Sequence, residues 1–206
     1  MKIRQVDVVA AKVVDSLQRP PRGGVHLSDV LHQIRKTFDK KFATELTQEN
    51  LHRFKMGEGF EAGVMSRGLM IDHQEHHHHQ WRAYTFVLNG IHMTTDAVCF
   101  GCAKTPLVWE VKLTWLGTKK DLLAPEFRTY HYQLMSYVYA LQLEIQKKVV
   151  GRFVFGHVHG NYTTDRTPRI LCWDVEYTEE ELHNNWRMIL KVRDEMRRKG
   201  LLKGKS

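Results

Sequence analysis

The alternation of apolar and polar residues predicts strands in the middle of the chain. Residues 81–88 and 107–115 are rich in β-branched and aromatic side chains, which favour strands. Asn89-Gly90, directly after the first of these segments, is the dipeptide most typical of a two-residue hairpin turn. A further strand that contains Asp96 follows the turn. The pattern therefore predicts a three-stranded meander.

Apolar residues at helical spacing predict helices before the meander. Residues 1–18 repeat valine, alanine and leucine near the helical period, and the Pro-Pro and Gly-Gly pairs of residues 19–24 end that helix. Ser28 is a candidate cap for a second, short helix. A third helix is predicted over residues 48–69, although Gly57 and Gly59 lower its helix propensity.

After the meander the pattern predicts a helix, two strands and a last helix. Pro125 suits the first position of a helix that continues to about residue 148. Strands are predicted at 149–159 and 169–177. Thr178-Glu-Glu-Glu181 has the capping-box pattern of a helix start. This order of elements predicts a mixed α/β fold, with a mixed central sheet flanked by helices.

Length and composition agree with a single compact domain. The chain has 206 residues, of which 42% are hydrophobic and 26% are charged. We expect residues 1–46 to form an N-terminal helical extension and residues 47–206 to form the main domain. No apolar run approaches the ~18 residues of a membrane span, and charges interrupt the first apolar segment, which argues against a signal peptide.

The chain is strongly basic. Its formal net charge is +8 at pH 7 and its pI is about 9.4. An excess of this size favours an anionic partner, most simply nucleic acid. Many basic proteins bind no nucleic acid, so the charge needs the support of a specific site.

The predicted strands bring carboxylates and an ammonium to one face. Side chains two positions apart share a face of a strand, so Glu110 and Lys112 point the same way. On the preceding strand, His92, Thr94 and Asp96 share a face. If the strands pair, Asp96 approaches Glu110 and Lys112. Two carboxylates and an ammonium at a strand end, in a basic chain, indicate a metal-dependent nuclease.

Two further pairs lie at helical spacing. Gly57 and Glu61 are four residues apart in the third predicted helix, and Gln133 and Tyr137 are four apart in the next one. Taken singly, each of these patterns more often belongs to a solvated face or a packed pair than to a site. Their joint order along the chain is much more specific.

That joint order resembles the PD-(D/E)XK nuclease superfamily, whose core is αβββαβ. Asp96 and Glu110-Val-Lys112 are similar to its signature in the Glu-x-Lys variant, and Glu61 to the acidic residue of its first core helix. Gln133-Leu-Met-Ser-Tyr137 resembles the Gln-x-x-x-Tyr motif of the RecB-like branch. That branch includes RecB and AddAB nuclease domains, nucleases of CRISPR systems and phage recombination exonucleases. The resemblance covers roughly residues 47–160.

The resemblance implies a set of catalytic residues with defined roles. They are Glu61, Asp96, Glu110, Lys112, Gln133 and Tyr137. The three carboxylates and the main-chain carbonyl of Val111 would bind one or two Mg²⁺ or Mn²⁺ ions, which prefer oxygen ligands. Lys112 would orient or help to deprotonate the attacking water and stabilise negative charge. Gln133 and Tyr137 would hydrogen-bond the substrate phosphate or the water network.

The resemblance implies metal-dependent hydrolysis of DNA. The simplest enzyme of this kind is an exonuclease or end-processing enzyme of recombination or repair, and a phage origin is one interpretation of the small chain. A structure-specific or restriction-type endonuclease is an alternative, and a non-catalytic nucleic-acid-binding module is another. We expect DNA as partner and the cytoplasm of a bacterial or phage-infected cell as location. Polarity, strand preference, DNA versus RNA, and a homo-oligomer or recombination partner stay open.

Cysteine and histidine allow fewer conclusions. Cys99, Cys102 and Cys172 are too few to hold an iron–sulfur cluster with four cysteines of one chain, and their odd number favours a reducing compartment. Zinc held by the three cysteines and a histidine, in an interaction module, is a further alternative. The run His76–His79 is interpreted as a solvated, histidine-rich loop.

Overall fold

The computed structural model describes residues 1–6, 24–38, 56–57, 59–61, 83–100, 105–114, 121–158 and 169–202. The strands are β1 (Lys2–Val6), β2 (Val25–His26), β3 (Thr85–Leu88), β4 (Ile91–Thr94), β5 (Ala97–Cys99), β6 (Leu107–Thr114), β7 (Val150–His157) and β8 (Arg169–Glu176). The helices are α1 (Leu27–Phe38), α2 (Arg128–Ile145) and α3 (Glu179–Arg198), and a 3-10 turn, Pro125–Phe127, precedes α2. Residues 56–57 and 59–61 are also helical.

Among the described residues, β1, β8, β7, β6 and β5 form a five-stranded sheet in that order. The pair β6–β7 is parallel, while the other three pairs are antiparallel. Helix α2 connects the two parallel strands, as the crossover of a parallel pair requires. The predicted mixed α/β class, with mixed sheets flanked by helices, is confirmed.

The two faces of this sheet contribute to two apolar clusters. Val108 of β6 and Phe153 of β7 face α2, and they belong to the larger cluster together with Leu134 of that helix. Trp109 and Val154, one position further along each strand, belong to the smaller cluster on the opposite face. The central strands are therefore buried on both sides, which is usual for parallel strands.

The Asn89-Gly90 hairpin is confirmed and it is anchored on α3. Both turn residues have positive φ angles, 50° and 74°, as a type I′ turn requires. The indole Nε1 of Trp186 donates to Oδ1 of Asn89 at 2.9 Å, and the guanidinium of Arg193 donates to the Asn89 carbonyl. The hairpin β3–β4 pairs with β2 and forms a three-stranded sheet with it.

The predicted meander is wrong, because β4 and β5 belong to different sheets. Thr95 separates them, and its backbone N–H donates to the carbonyl of Tyr84 at 3.0 Å. The Thr95 hydroxyl also accepts from the Tyr84 N–H at 3.0 Å, so the chain stays bonded to the start of the hairpin. Asp96 consequently lies in the link between the sheets and not on a strand with His92 and Thr94.

The predicted N-terminal helix is wrong over its described part, because Lys2–Val6 is the strand β1. It pairs with β8, with Lys2 opposite Glu176 and Val6 opposite Cys172. Valine and isoleucine favour strands, and an available sheet edge outweighs a weak helical period. This segment is part of the central sheet, whereas the domain boundary at residue 46 stays a prediction.

The helix boundaries follow local chemistry. The capping box of α3 is confirmed, since Thr178 Oγ1 accepts from the Glu181 N–H at 3.2 Å and the Glu181 carboxylate accepts from the Thr178 N–H at 2.9 Å. Helix α2 ends before the predicted residue 148, because Gln146 adopts φ 52° in the left-handed region. Helix α1 begins at Leu27, so Ser28 lies inside its first turn.

Several predicted features lie outside the described residues. They are most of the helix at 48–69, the run His76–His79, Cys102 and the loop at 161–168. Within the described ranges, no helix combines the length and the apolar character that crossing a membrane demands.

Candidate active site

Asp96 stands where β6 continues beyond the end of β5. The first residue of β5, Ala97, is the partner of Trp109, so the pairing of these strands ends there. Val111 lies two residues beyond Trp109 on β6, and its backbone N–H donates to Oδ2 of Asp96 at 2.7 Å. Asp96 is buried, and its carboxylate thus takes over a backbone hydrogen bond at the end of the ladder.

Glu110 and Lys112 lie on the face of β6 that packs against α2. Glu110 is 0% exposed, and the Lys112 ammonium forms an ion pair with its Oε1. The same Nζ lies 3.8 Å from Oδ2 of Asp96 and donates to the carbonyl of Val111 at 3.1 Å. The structure thus brings Asp96, Glu110 and the Val111 carbonyl around a single cationic group.

The charge of this group is held by its surroundings. Burial lowers the pKa of Lys112, but the negative charges of Glu110 and Asp96 and the contact with Glu110 raise it by more. The net result is a pKa well above that of an ordinary lysine. In this structure Lys112 is therefore an ammonium at neutral pH.

Gln133 and Tyr137 form one hydrogen-bonded unit on α2. The amide nitrogen of Gln133 donates to the Tyr137 hydroxyl at 2.8 Å, across one helical turn. Burial raises the pKa of Tyr137 well above its usual value, and the negative charges of Glu110 and Asp96 raise it further. Tyr137 is therefore a neutral phenol at neutral pH.

Glu61 is not brought into the same cluster of ligands. It is helical and partly buried, and its neighbour Phe60 packs on the sheet face opposite α2. Over the described ranges, no three histidine, cysteine, aspartate or glutamate side chains lie together as a metal-binding group. Two of the three carboxylates implied by the resemblance, Asp96 and Glu110, therefore meet at Lys112.

The sequence pattern predicted that His92, Thr94 and Asp96 lie on one strand, and this prediction is wrong. His92 and Thr94 belong to β4 in the smaller sheet, where the ring of His92 lies 5.5 Å from that of His26. Thr114 and His157 are better placed, although neither was among the predicted catalytic residues. They are partners at the ends of β6 and β7, both are buried, and they share the face of Lys112. The parallel register of the two strands was the missing signal.

The described cysteines do not form a metal site in this structure. Cys99 is disulfide-bonded, so its sulfur is not a free thiolate ligand. Cys172 is a free thiol that is buried between β7 and β1. Burial raises the pKa of Cys172 to about 12, which keeps it protonated and unreactive at neutral pH.

Comparisons with known proteins assign no family. No family model matches the chain. No curated protein matches it either. A solved structure titled "Crystal structure of SSO0001" aligns with a TM-score of 0.40 and 11% identity, over 85% of this chain and 79% of that one. A likeness at this level supports no statement about fold or function.

Proposed function

We propose that this protein is a metal-dependent nuclease that hydrolyses phosphodiester bonds of DNA. The observation that supports the proposal is the convergence of Asp96, Glu110 and the Val111 carbonyl on one cationic group, Lys112. A buried carboxylate pair beside a lysine is costly to maintain, because each charge loses its hydration. Such clusters are concentrated at functional sites.

The donor atoms suit a small divalent cation. Carboxylate and carbonyl oxygens are the ligands that Mg²⁺ and Mn²⁺ prefer, and two carboxylates match the positive charge of one ion. The Lys112 ammonium contacts Glu110 and the Val111 carbonyl and lies 3.8 Å from Asp96, which supports a cation site formed by these three groups. Asp96, Glu110 and the Val111 carbonyl would hold the ion. Glu61 would join them as the resemblance implies.

A bound metal ion would supply charge neutralisation at the phosphate and a water molecule of lowered pKa. The protein residues divide the remaining work by position. Lys112 adds a positive charge beside both carboxylates, where negative charge develops on a phosphate. The Gln133–Tyr137 unit presents amide and phenol groups from α2 that can bond to phosphate oxygens or to water.

We further propose that the fold around this site is a PD-(D/E)XK core. The antiparallel pair β5–β6, the crossover helix α2 and the parallel strand β7 occur in the order that this core requires. The Gln-x-x-x-Tyr motif favours the RecB-like branch, and hence an exonuclease or end-processing enzyme. The net charge of +8 supports salt-dependent binding to the DNA backbone.

The proposal is tested by a cleavage assay on end-labelled linear DNA and closed circular DNA with Mg²⁺, Mn²⁺ or EDTA. We expect metal-dependent loss of linear DNA that is abolished in Lys112→Ala. Lys147→Ala, which changes an exposed lysine just beyond α2, is the matched control and should cleave like the wild type.

Each other outcome has a definite meaning. Nicking or linearisation of circles would replace the exonuclease proposal with an endonuclease. Salt-sensitive DNA binding without cleavage under any metal would overturn catalysis and favour a binding module. Cleavage that survives Lys112→Ala would show that the cluster at Lys112 is not the active site.

A further inference from the structure

Strand β7 has a glycine on each of its faces. Gly151 and Gly156 are five residues apart, so they point to opposite sides of the sheet. Gly151 shares the face of Phe153, against α2. Gly156 shares the face of Val154, which belongs to the smaller apolar cluster. Both glycines are buried inside a strand, where glycine is intrinsically unfavourable and usually marks a close approach.

Phe60 fills the space above Gly156. A Cβ atom built on Gly156 would meet the Phe60 ring at Cε2, 2.6 Å away, and at Cε1, 2.9 Å away. These separations are well inside the sum of van der Waals radii, so any larger residue at 156 must push the ring outward. Phe60 also packs against the smaller apolar cluster, so the ring holds its helical segment to the sheet.

This contact lies next to two residues of the proposed site. Phe60 precedes Glu61 directly, in the helical segment 59–61. Gly156 is the partner of Leu113, which follows Lys112 on β6. The ring is therefore seated at the level of Lys112, on the other face of the sheet.

The sheet also has an open edge beside the site. Beyond Trp109, the β5 side of β6 has no strand partner among the described residues, and Asp96 caps that side through the Val111 N–H.

We propose that Gly156 is a positioning residue for Glu61. Because Gly156 has no side chain, the Phe60 ring can pack directly on β7. This packing fixes the position of the adjoining Glu61 relative to Asp96 and Glu110. This inference rests on the proposed function, because it gives Glu61 the metal-binding role that the function requires. Gly156 touches neither metal nor substrate, and it acts through Phe60.

Gly151 provides a matched comparison within the same strand. A Cβ on Gly151 would meet Cδ2 and Cγ of Leu134 at 2.8 and 2.9 Å. Leu134 follows Gln133 on α2, so this second glycine seats the helix that carries Gln133 and Tyr137. The two substitutions Gly156→Ala and Gly151→Ala therefore disturb opposite faces of one strand, and the overlap is closer at Gly156, where the new Cβ would also meet Cζ of Phe60.

The experiment measures Mn²⁺ binding to the full chain by isothermal titration calorimetry, without DNA. Gly156→Ala should weaken Mn²⁺ binding about tenfold, the lower end of the loss seen when groups supporting a metal ligand are changed. Gly151→Ala should leave Mn²⁺ affinity within about twofold, since it moves no metal ligand. Circular dichroism and thermal unfolding verify that each variant is folded.

A double-mutant cycle with Glu61 separates positioning from general damage. If Gly156 acts through Glu61, Gly156→Ala should weaken Mn²⁺ binding no further in a Glu61→Gln background. Phe60→Leu removes the ring atoms that a Cβ would meet, so Gly156→Ala/Phe60→Leu should recover much of the affinity lost in Gly156→Ala. Phe60→Leu alone should itself weaken Mn²⁺ binding, which keeps the test informative if Gly156→Ala does not fold.

The results distinguish the inference from the function beneath it. A folded Gly156→Ala protein with wild-type Mn²⁺ affinity would overturn the positioning role while leaving the nuclease proposal intact. Additive losses in the cycle with Glu61→Gln would do the same. A wild-type protein that neither binds Mn²⁺ nor cleaves DNA would remove both proposals together.

Discussion

The backbone N–H of Val111 donates to the carboxylate of Asp96 at 2.7 Å, just beyond Ala97 and Trp109, the last partners in the pairing of β5 with β6. The same carboxylate oxygen lies 3.8 Å from the Lys112 ammonium. Asp96 therefore ends the strand pairing and faces the positive charge with one side chain. Its structural and electrostatic contributions can be separated by substitution.

Asp96→Asn should separate these contributions. The amide oxygen can still accept from the Val111 N–H, so unfolding free energy should fall by only about 1 kcal/mol. Cleavage should fall at least about 100-fold, because the negative charge is lost. Urea unfolding and the cleavage assay give the two values. Asp96→Ala leaves the buried N–H of Val111 unpaired and should lower the unfolding free energy by about 1–3 kcal/mol. Cleavage by Asp96→Asn at the wild-type rate would contradict the catalytic role proposed for Asp96.

Lys112→Met should destabilise the protein in the absence of divalent metal. Glu110 is 0% exposed, and loss of its cationic partner leaves a buried negative charge. Breaking a buried pair in this way costs about 3–5 kcal/mol. Saturating Mn²⁺ should raise the melting temperature of Lys112→Met more than that of the wild type, because the ion replaces the missing charge. Equal shifts in the two proteins, measured by calorimetry, would show that Mn²⁺ does not bind beside Glu110.

Tyr137→Phe should reduce cleavage without unfolding the protein. The substitution removes the hydroxyl that accepts from Gln133 and leaves the buried ring in place. We expect a loss of about 1 kcal/mol in stability and about tenfold in cleavage rate, which corresponds to ~1.4 kcal/mol. In a double-mutant cycle, Gln133→Leu should cost little more once the hydroxyl is gone. Full additivity of the two substitutions would argue against a shared role.

Two ion pairs near the β7–β8 pairing should differ sharply in strength. Arg152 and Asp174 are buried, and two hydrogen bonds of 2.5 and 2.9 Å join them. The Arg152 guanidinium also lies 5.4 Å from the Trp109 ring centroid. Asp174→Ala should cost about 3–5 kcal/mol in urea unfolding. The exposed pair of Lys148 and Glu176 is the control, and its loss should cost less than about 1 kcal/mol. Similar costs for the two pairs would contradict the burial of the first.

His131 should make stability depend on pH. Burial lowers the pKa of His131 below its usual 6.5, and the ring bridges the Leu122 carbonyl at 3.0 Å and the Tyr177 hydroxyl at 2.8 Å. As the pH falls, this histidine becomes protonated in the unfolded chain before it does so in the folded protein. The stability that neutral His131 contributes is therefore fully present above about pH 6.5 and is lost as the pH falls towards the lower pKa of the folded state. Urea unfolding between about pH 7.5 and about pH 5 should show the decline.

The control for this pH effect is an exposed histidine on α3. His131→Gln should flatten the pH dependence, while His183→Gln should leave it close to that of the wild type. An unchanged slope in His131→Gln would mean that another group takes up the proton.

Features fixed by neighbouring residues could be predicted from the sequence. The positive φ angles of Asn89 and Gly90 and the reciprocal bonds of Thr178 and Glu181 depend on a few adjacent positions. The shared face of Glu110 and Lys112 follows in the same way from the period of a strand. Which strands pair with each other depends on residues that are distant in the chain. The sequence pattern therefore revealed neither the pairing of β1 with β8 nor the separation of β4 and β5 into different sheets.

The site could be predicted in part for the same reason. Alternation along β6 placed Glu110 and Lys112 on one face, and pairing with the preceding strand was expected to bring Asp96 near them. Asp96 does lie near them, but from the link that precedes β5 and not from a strand shared with His92 and Thr94. The contact of Lys112 with the Val111 carbonyl depends on a side-chain rotamer, which no sequence pattern reveals. Phe60, which precedes Glu61, packs on Gly156, and a contact between residues so far apart in the chain is not visible in any local pattern.

The pairing of β1 with β8 also constrains the order in which the sheet can be completed. Lys2 lies opposite Glu176, so β1 has no partner in the sheet until β8, far along the chain, has been synthesised. Closing a loop of this length is slow, because the ordering entropy is lost before the contacts form. During translation β1 is therefore an unpaired strand rich in backbone donors and acceptors, the kind of segment that chaperones protect from aggregation.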